Sequence, residues 1–261
     1  LSEDVVWREV FAPALADAAP NVRDVWHYGV TEMVNNAIDH SGSAQVHVGL
    51  RRNALYMDGW VADEGEGIFL KIQRALGLYD PREAILELAK GKLTTDPANH
   101  TGEGIFFASK VFDVFDIRSG TLHFRHDAGE EDALLERPAD AAGTLVVMRL
   151  HHASTRTVRE VFDAFAVPEE FSFAKTIVPV RLAQYEGEKL VSRSQAKRLV
   201  QRFERFRHVV LDFQGVAEIG QPFADEVFRV FAAAHPTVVL APIHLTGEVE
   251  RMIDRAVLPR P

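Results

Sequence analysis

The hydrophobic rhythm of this chain changes near residue 150, and that change limits its architecture more than any other feature. Before it, one long amphipathic segment leads into runs that alternate apolar and polar residues. After it, short strand-like runs take turns with helical ones. From Val22 onward, Val25, Trp26, Val30, Met33, Val34 and Ala37 recur at helical spacing, which predicts a helix over 22–39. Pro20-Asn21 is its start signal and Ser41-Gly42-Ser43 its end. Strand-like segments follow at 45–51 and 54–62, with Arg52-Asn53 as the turn, then at 114–119, 121–126 and 144–150. Residues 81–90 read as a helix with Pro at its first position, 91–104 as a loop, and the acidic stretch 127–136 as a solvated loop. In the back half, strands at 177–182, 208–213 and 237–242 alternate with helices at 192–205, 221–234 and 247–256. That alternation predicts a small α/β unit with a mostly parallel or mixed sheet.

Charge divides at the same place. The net charge of −9 comes from 29 basic and 38 acidic residues. Residues 1–150 hold 14 Lys/Arg against 24 Asp/Glu, whereas 151–261 hold 15 against 14. A chain of 261 residues has room for two ordinary domains. The expected division is 1–150, a linker at 151–172, and 173–261. The acidic front half argues against nucleic-acid binding there, because phosphate contacts need a basic face. Cysteine is absent, which excludes disulfides, thiolate metal sites and cysteine nucleophiles and fits a cytoplasmic chain. No apolar run approaches the 18 or so residues of a membrane span, so no membrane partner is expected.

Two local patterns carry chemistry. Asp63-Glu64-Gly65-Glu66-Gly67 follows a predicted strand. At this composition a D-x-G-x-G pattern is expected by chance on the order of 0.07 times. The shorter Gly102-Glu103-Gly104 is far less specific, but the physical reading is shared. Glycine lets a backbone approach a ligand closely, and a helix starting after Gly104 would aim free N–H groups at an anion. Neither pattern is a Walker loop or a dinucleotide fingerprint. Glu32 and Asn36 stand four apart on one helix, with Asp39 and His40 close behind. Such a pair can meet one small ligand, and amide and carboxylate oxygens suit Mg²⁺. Alone, the pair is equally what a solvated polar face looks like.

In order, Glu32-x-x-x-Asn36, Asp63-x-Gly-x-Gly, Gly102-x-Gly and Gly143-Thr144 resemble the motif series of the GHKL ATPases. That superfamily includes the ATP-binding domains of sensor histidine kinases, type II topoisomerases, Hsp90 and MutL-type proteins. The resemblance spans about residues 20–150, and the stretch Thr-Glu-Met-Val-Asn-Asn-Ala-Ile-Asp-His-Ser-Gly is the nearest match. It implies that Asn36 coordinates Mg²⁺ on the triphosphate, with Asp39 beside it in the nucleotide site. Glu32 would be the catalytic residue that orients or deprotonates the attacking water. Asp63 would accept from the adenine amino group, Gly65 and Gly67 would turn beneath the base, and Thr144 would support the adenine end. Gly102 and Gly104, with Thr101, would border the phosphates, with 68–101 as the lid. In the lid, Lys90 and Lys92 could reach phosphate or equally sit in water, and His100, a phosphate contact or a loop histidine, stands where kinase-type glycine boxes often have another Gly. No helical hairpin with an acceptor histidine precedes the domain.

Residues 209–223, Val-Val-Leu-Asp-Phe-Gln-Gly-Val-Ala-Glu-Ile-Gly-Gln-Pro-Phe, are similar to the strand, loop and helix start of STAS domains, the fold of anti-sigma-factor antagonists. This resemblance spans roughly 173–258. Antagonists of that family offer Ser or Thr to a kinase, where this chain has Gln221 and Pro222. The preceding helix carries Arg193, Lys197, Arg198, Arg202, Arg205 and Arg207 on one side. That side reads as a solvated face, or as one that docks on an acidic protein surface or on nucleic acid.

Together the resemblances imply an α/β (α+β) fold class. A Bergerat-type ATP-binding α/β sandwich with a mixed sheet is followed by a smaller STAS-like α/β domain. The expected activity is slow Mg-ATP hydrolysis, with the nucleotide state passed to the second domain in transcriptional or signalling control. Alternatives are a Ser/Thr or His protein kinase of the anti-sigma type and a non-catalytic nucleotide sensor. Expected partners are ATP with Mg²⁺ and a protein partner or second copy. DNA enters only through a helix-turn-helix domain upstream of Leu1.

Overall fold

The computed structural model describes residues 2–93, 102–128, 132–136, 138, 142–167, 172–185 and 188–257. The fold is mixed α/β, and the chain divides into two units, Leu1–Ala164 and Phe165–Pro261. Among the described residues no helix is long and apolar enough to cross a membrane.

In the first unit, helix α1 (Pro20–His40) carries the predicted periodicity. Pro20 occupies its first turn, where a missing N–H costs nothing. Val22, Val25, Trp26, Val30, Met33 and Val34 on its inner face are buried. Each large side chain removed from water there stabilises the unit by about 1.5–3 kcal/mol. Trp26 packs between Phe11 and Phe112, with ring centroids 5.9 and 4.9 Å away. Gly59 leaves room for it on β2, because a Cβ there would stand 2.6 Å from the indole.

The sheet under α1 has six strands: β1 (Val46–Arg52), β2 (Tyr56–Asp63), β3 (Val114–Ser119), β4 (Leu122–Asp127), β5 (Ala133–Glu136) and β6 (Thr144–His151). Their order is β1-β2-β6-β3-β4-β5. Every pair is antiparallel, where a mixed sheet was expected. The reason is topological: β6 runs back between β2 and β3, so no two neighbours point the same way. The turn between β1 and β2 lies at 53–56 rather than at Arg52-Asn53. Asn53 Oδ1 accepts the N–H groups of Leu55 and Tyr56 at 2.8 and 2.9 Å, a side-chain turn that moves the reversal forward.

Helices α2 (Ile68–Leu76), α3 (Glu83–Lys90) and α4 (Gly104–Val111) complete the layer with α1, and α5 (Val158–Phe165) closes the unit. Phe162 of α5 stacks on Phe107 at 3.9 Å. The acidic insert is not wholly a solvated loop. Its residues 133–136 form β5 along β4. The preceding Asp132 is buried, bonded to His126 and 3.7 Å from Lys110 Nζ, so its charge is partnered rather than hydrated.

The second unit holds a parallel sheet, β11-β10-β9, of β9 (Lys175–Pro179), β10 (His208–Asp212) and β11 (Val239–Ile243). A short antiparallel pair, β7 (Ala166–Val167) and β8 (Ser172–Phe173), precedes it. Helix α6 (Arg193–Val200) follows β9. Helix α7 starts as Gln221–Asp225 and continues through the wider turn Glu226–Phe231 to Ala232–Ala234; α8 is Gly247–Val257. Helix α6 stops short of the expected residue 205, because Arg202 takes a left-handed φ of 66°. Arg202 is also buried, so it does not belong to the exposed basic side predicted for it. Arg198 lies over the Tyr185 ring at 4.6 Å, whereas Arg193 and Lys197 are exposed.

Candidate functional site

A cleft of about 140 Å³ opens in the first unit, and seven of the predicted positions converge on it: Glu32, Asn36, Asp63, Gly67, Gly102, Gly104 and Thr144. They come from four separate stretches of chain. Asp39, Gly65 and Lys92 do not line it, and His100 and Thr101 lie outside the described residues.

One wall is the polar side of α1. Tyr28, Glu32, Asn36 and His40 recur every four residues and form a stripe beside the buried apolar face. Glu32, Asn36 and His40 of this stripe line the cleft. Asp39 sits one position off the stripe and is exposed. The side-chain amide nitrogen of Asn36 is buried and finds no hydrogen-bond partner among the described residues. A buried amide left unmatched costs about 1–3 kcal/mol, so such a group is rarely kept without use.

At one end, strand register builds a rigid corner. Asp63 and Thr144 are cross-strand partners of β2 and β6. Asp63 Oδ1 accepts the N–H of Gly65 at 2.9 Å and of Thr144 at 3.3 Å, and Thr144 Oγ1 accepts the N–H of Ile68 at 3.0 Å. Burial pushes the Asp63 carboxyl above its ordinary range, and the two backbone N–H groups pull it partly back. The glycines here are spatial requirements. Gly67 has a φ of 91°, and a Cβ on it would stand 2.5 Å from Ser119 Oγ. A Cβ on Gly65 would overlap the Ser41 carbonyl. Gly143, with φ 74°, lies against the backbone of Asp63 and Glu64.

At the other end stands the start of α4. Gly102 has φ 73° and presses on Leu93, whose N–H donates to the Gly102 carbonyl at 3.0 Å. Glu103 follows, then Gly104, against which the Glu32 carboxylate rests. Between the two ends the walls are apolar, from residues such as Met33, Ile72, Leu88 and Phe106. An apolar slot with a carboxylate at one end and the start of a helix at the other suits a flat, partly polar ring bearing an anionic tail.

Lys71, Glu66 and Ser41 also line the cleft and escaped sequence reasoning. Lys71 Nζ donates to the His40 carbonyl, tying α2 to the end of α1. Glu66 pairs with Arg74 at 2.5 Å. The available signal was helical spacing after Gly67: Ile68, Lys71 and Ile72 share one side of α2 and all three face the cleft.

In the second unit the segment that reads as STAS-like places Asp212 at the end of β10 and Gln221-Pro222 in the first turn of α7. Asp212 Oδ1 accepts from the N–H of Gln214 at 2.9 Å and bonds His244 Nδ1 at 2.8 Å. A family model described as a STAS-like domain of unknown function matches residues 195–250, within this unit. No curated protein matches the chain.

Proposed function

We propose that the first unit binds ATP with Mg²⁺ in its cleft, hydrolyses it slowly, and serves a regulatory protein whose second, STAS-like unit reads the nucleotide state. The observation that carries this reading is the convergence of seven residues, drawn from four distant motifs, on one cleft in the first unit. Their order along the chain resembles that of the GHKL ATPases, the source of the roles assigned here.

The residues present suit the implied cation. Asn36 lines the cleft and carries an amide oxygen, a hard ligand of the kind Mg²⁺ takes. Among the described residues no cluster of three or more His, Asp or Glu could hold a metal. Mg²⁺ commonly takes one or two protein oxygens and fills its shell with phosphates and water, so a single Asn36 oxygen is enough. When bound there, it would neutralise charge on the phosphates. The remaining work falls to the chain. Asp63, held by the N–H groups of Gly65 and Thr144, accepts from an amino group on the base. Glu32 orients the attacking water and takes its proton. The start of α4 supplies donors for the phosphates, so catalysis is mainly positioning and charge stabilisation.

The test is to measure Mg-ATP binding and phosphate release together on the full chain. Asp63→Asn is expected to weaken binding at least tenfold, since a carboxylate acceptor is replaced by a group that also donates. Glu32→Ala is expected to abolish phosphate release with binding retained. Unchanged affinity in the Asp63 variant would overturn the site assignment. Label from γ-labelled ATP appearing on a protein partner would turn the reading from ATPase to kinase.

A further inference from the structure

Helix α5 contributes to two cores. It runs unbroken from Val158 to Phe165, and the division between the units falls inside it, between Ala164 and Phe165. Arg159, Glu160, Asp163 and Ala164 are exposed on one side, while Phe162 and Phe165, one turn apart, share the other. Phe162 packs in the first unit. Its ring stacks on Phe107 of α4 with centroids 3.9 Å and planes 16° apart, and it meets Tyr28 edge-on at 5.7 Å. Phe107 in turn meets Phe106 edge-on at 5.2 Å, and Phe106 lines the cleft. Phe165 packs in the second unit. It meets Phe173 edge-on at 6.3 Å, and Phe173 meets Phe206 at 5.6 Å. Next to that pair the Ala174 carbonyl accepts the N–H groups of Arg207 and His208, at 2.7 and 3.1 Å, where β10 begins. The approach to α5 is fixed by polar bonds: the Asn21 side chain donates to the carbonyls of Ser154 and Arg156 at 2.7 and 3.0 Å, and Arg156 Nη1 donates to the Phe112 carbonyl at 2.9 Å.

Resting on the reading of this cleft as a nucleotide site, we propose that α5 is the element that carries its occupancy to the second unit. Phe162 is the positioning residue on the cleft side and Phe165 the one on the far side. Close-packed rings do not compress; they move together or repack. A change at Phe106 therefore bears on Phe107, and through the stack on Phe162. Between Phe162 and Phe165 stand only Asp163 and Ala164, with no Gly or Pro to absorb a movement of the helix. Phe165 then acts on Phe173 and Phe206, at the entrance to the strand that ends at Asp212. Two rings on one side of one helix thus serve as input and output, and each can be removed without touching a residue that lines the cleft.

The experiment is amide hydrogen exchange on the full chain, with and without saturating Mg-ATP, alongside calorimetric measurement of Mg-ATP binding. In the wild-type chain the nucleotide is expected to change exchange about fivefold or more at 63–72, at 158–165 and at 206–212. Phe162→Ala should keep the change at 63–72 and bind Mg-ATP within about threefold of wild type, yet reduce the change at 206–212 to less than about twofold. Phe165→Ala should keep the changes at 63–72 and 158–162 and lose only the one at 206–212. Loss in that order is what a general loosening of the core would not produce. Phe162→Leu and Phe165→Leu keep an apolar side chain without a stacking face, and they carry the test if the Ala variants do not fold. With nucleotide bound, no change at 206–212 in the wild-type chain, or a change there that survives either substitution, overturns the transmission and leaves the cleft reading intact. No binding of Mg-ATP by the wild-type chain overturns the cleft reading and the transmission together.

Discussion

Gly143→Ala should be far more damaging than its chemistry suggests. Gly143 has φ 74°, a region in which an L-residue is strained by about 1–2 kcal/mol. Strain is the smaller part. A Cβ there would stand 2.6 Å from the Asp63 carbonyl carbon and 2.8 Å from Glu64 Cα, and it would overlap the Asp63 oxygen. These are backbone atoms of the neighbouring strand, so no rotamer change relieves the overlap. The corner that joins Asp63 to Thr144 must open, and the total cost should be about 3–4 kcal/mol. Gly77→Ala is the control, because its φ is 62° but nothing lies within 4 Å of the added Cβ. It should cost only about 1 kcal/mol. Trp7, Trp26 and Trp60 all belong to the first unit, so tryptophan fluorescence during urea unfolding follows that unit alone. With a slope of about 2 kcal/mol/M, the midpoint should fall by about 0.5 M for Gly77→Ala and by about 1.5–2 M for Gly143→Ala. Equal shifts would refute the close-approach argument and leave only backbone strain.

Three further outcomes follow from buried polar groups. Because the Asp63 carboxyl titrates higher in the folded than in the unfolded state, the folded chain holds that proton more tightly. Stability therefore falls as pH rises from the ordinary carboxylate range through the raised value. Asp63→Asn should thus melt higher than wild type at pH 7, with the difference shrinking below pH 4; a lower melting temperature at pH 7 would contradict this. For Asp132, burial opposes ionisation, but Lys110 and His126 outweigh it and hold the carboxyl below its usual range. Asp132→Ala leaves the Lys110 ammonium and the His126 ring without their shared carboxylate and should cost about 2–3 kcal/mol in urea unfolding. Trp26 Nε1 is buried without a partner among the described residues, so Trp26→Phe removes an unsatisfied donor as well as packing. Its cost, read by circular dichroism, should stay below about 1.5 kcal/mol, well under that of an ordinary large-to-small core change.

The parts of the fold legible in the sequence are those in which one physical signal dominates. Helix α1 was legible because its buried positions repeat at helical spacing from Val22 to Ala37, and β6 because buried residues alternate from Val146 to Leu150. Strand β5 was hidden because its pairing with β4 is a non-local fact, and because the charge beside it, Asp132, is neutralised by residues distant in sequence. The end of α6 was missed because Arg202 looks helical and basic, yet takes a left-handed conformation and is buried. Of the residues that line the cleft, motif order singles out Glu32, Asn36, Asp63 and Thr144. Glu66 is a variable position of the Asp63-x-Gly-x-Gly pattern, and Lys71 belongs to no motif and becomes visible only when α2 folds over the end of α1.

The place of β6 in the sheet order has a consequence for how the first unit is made. Strands β1 and β2 form one local hairpin, and β3, β4 and β5 form a second antiparallel set. In the sheet the two sets are joined by residues 144–151, which pair with β2 on one side and β3 on the other. During synthesis, both sets are complete before their shared neighbour has left the ribosome. Each then presents an unpaired edge to any other chain nearby, which is the condition for intermolecular strand pairing. A chain cut before residue 144 should therefore aggregate rather than fold, and insertion of β6 should be the slow step that creates the Asp63–Thr144 corner.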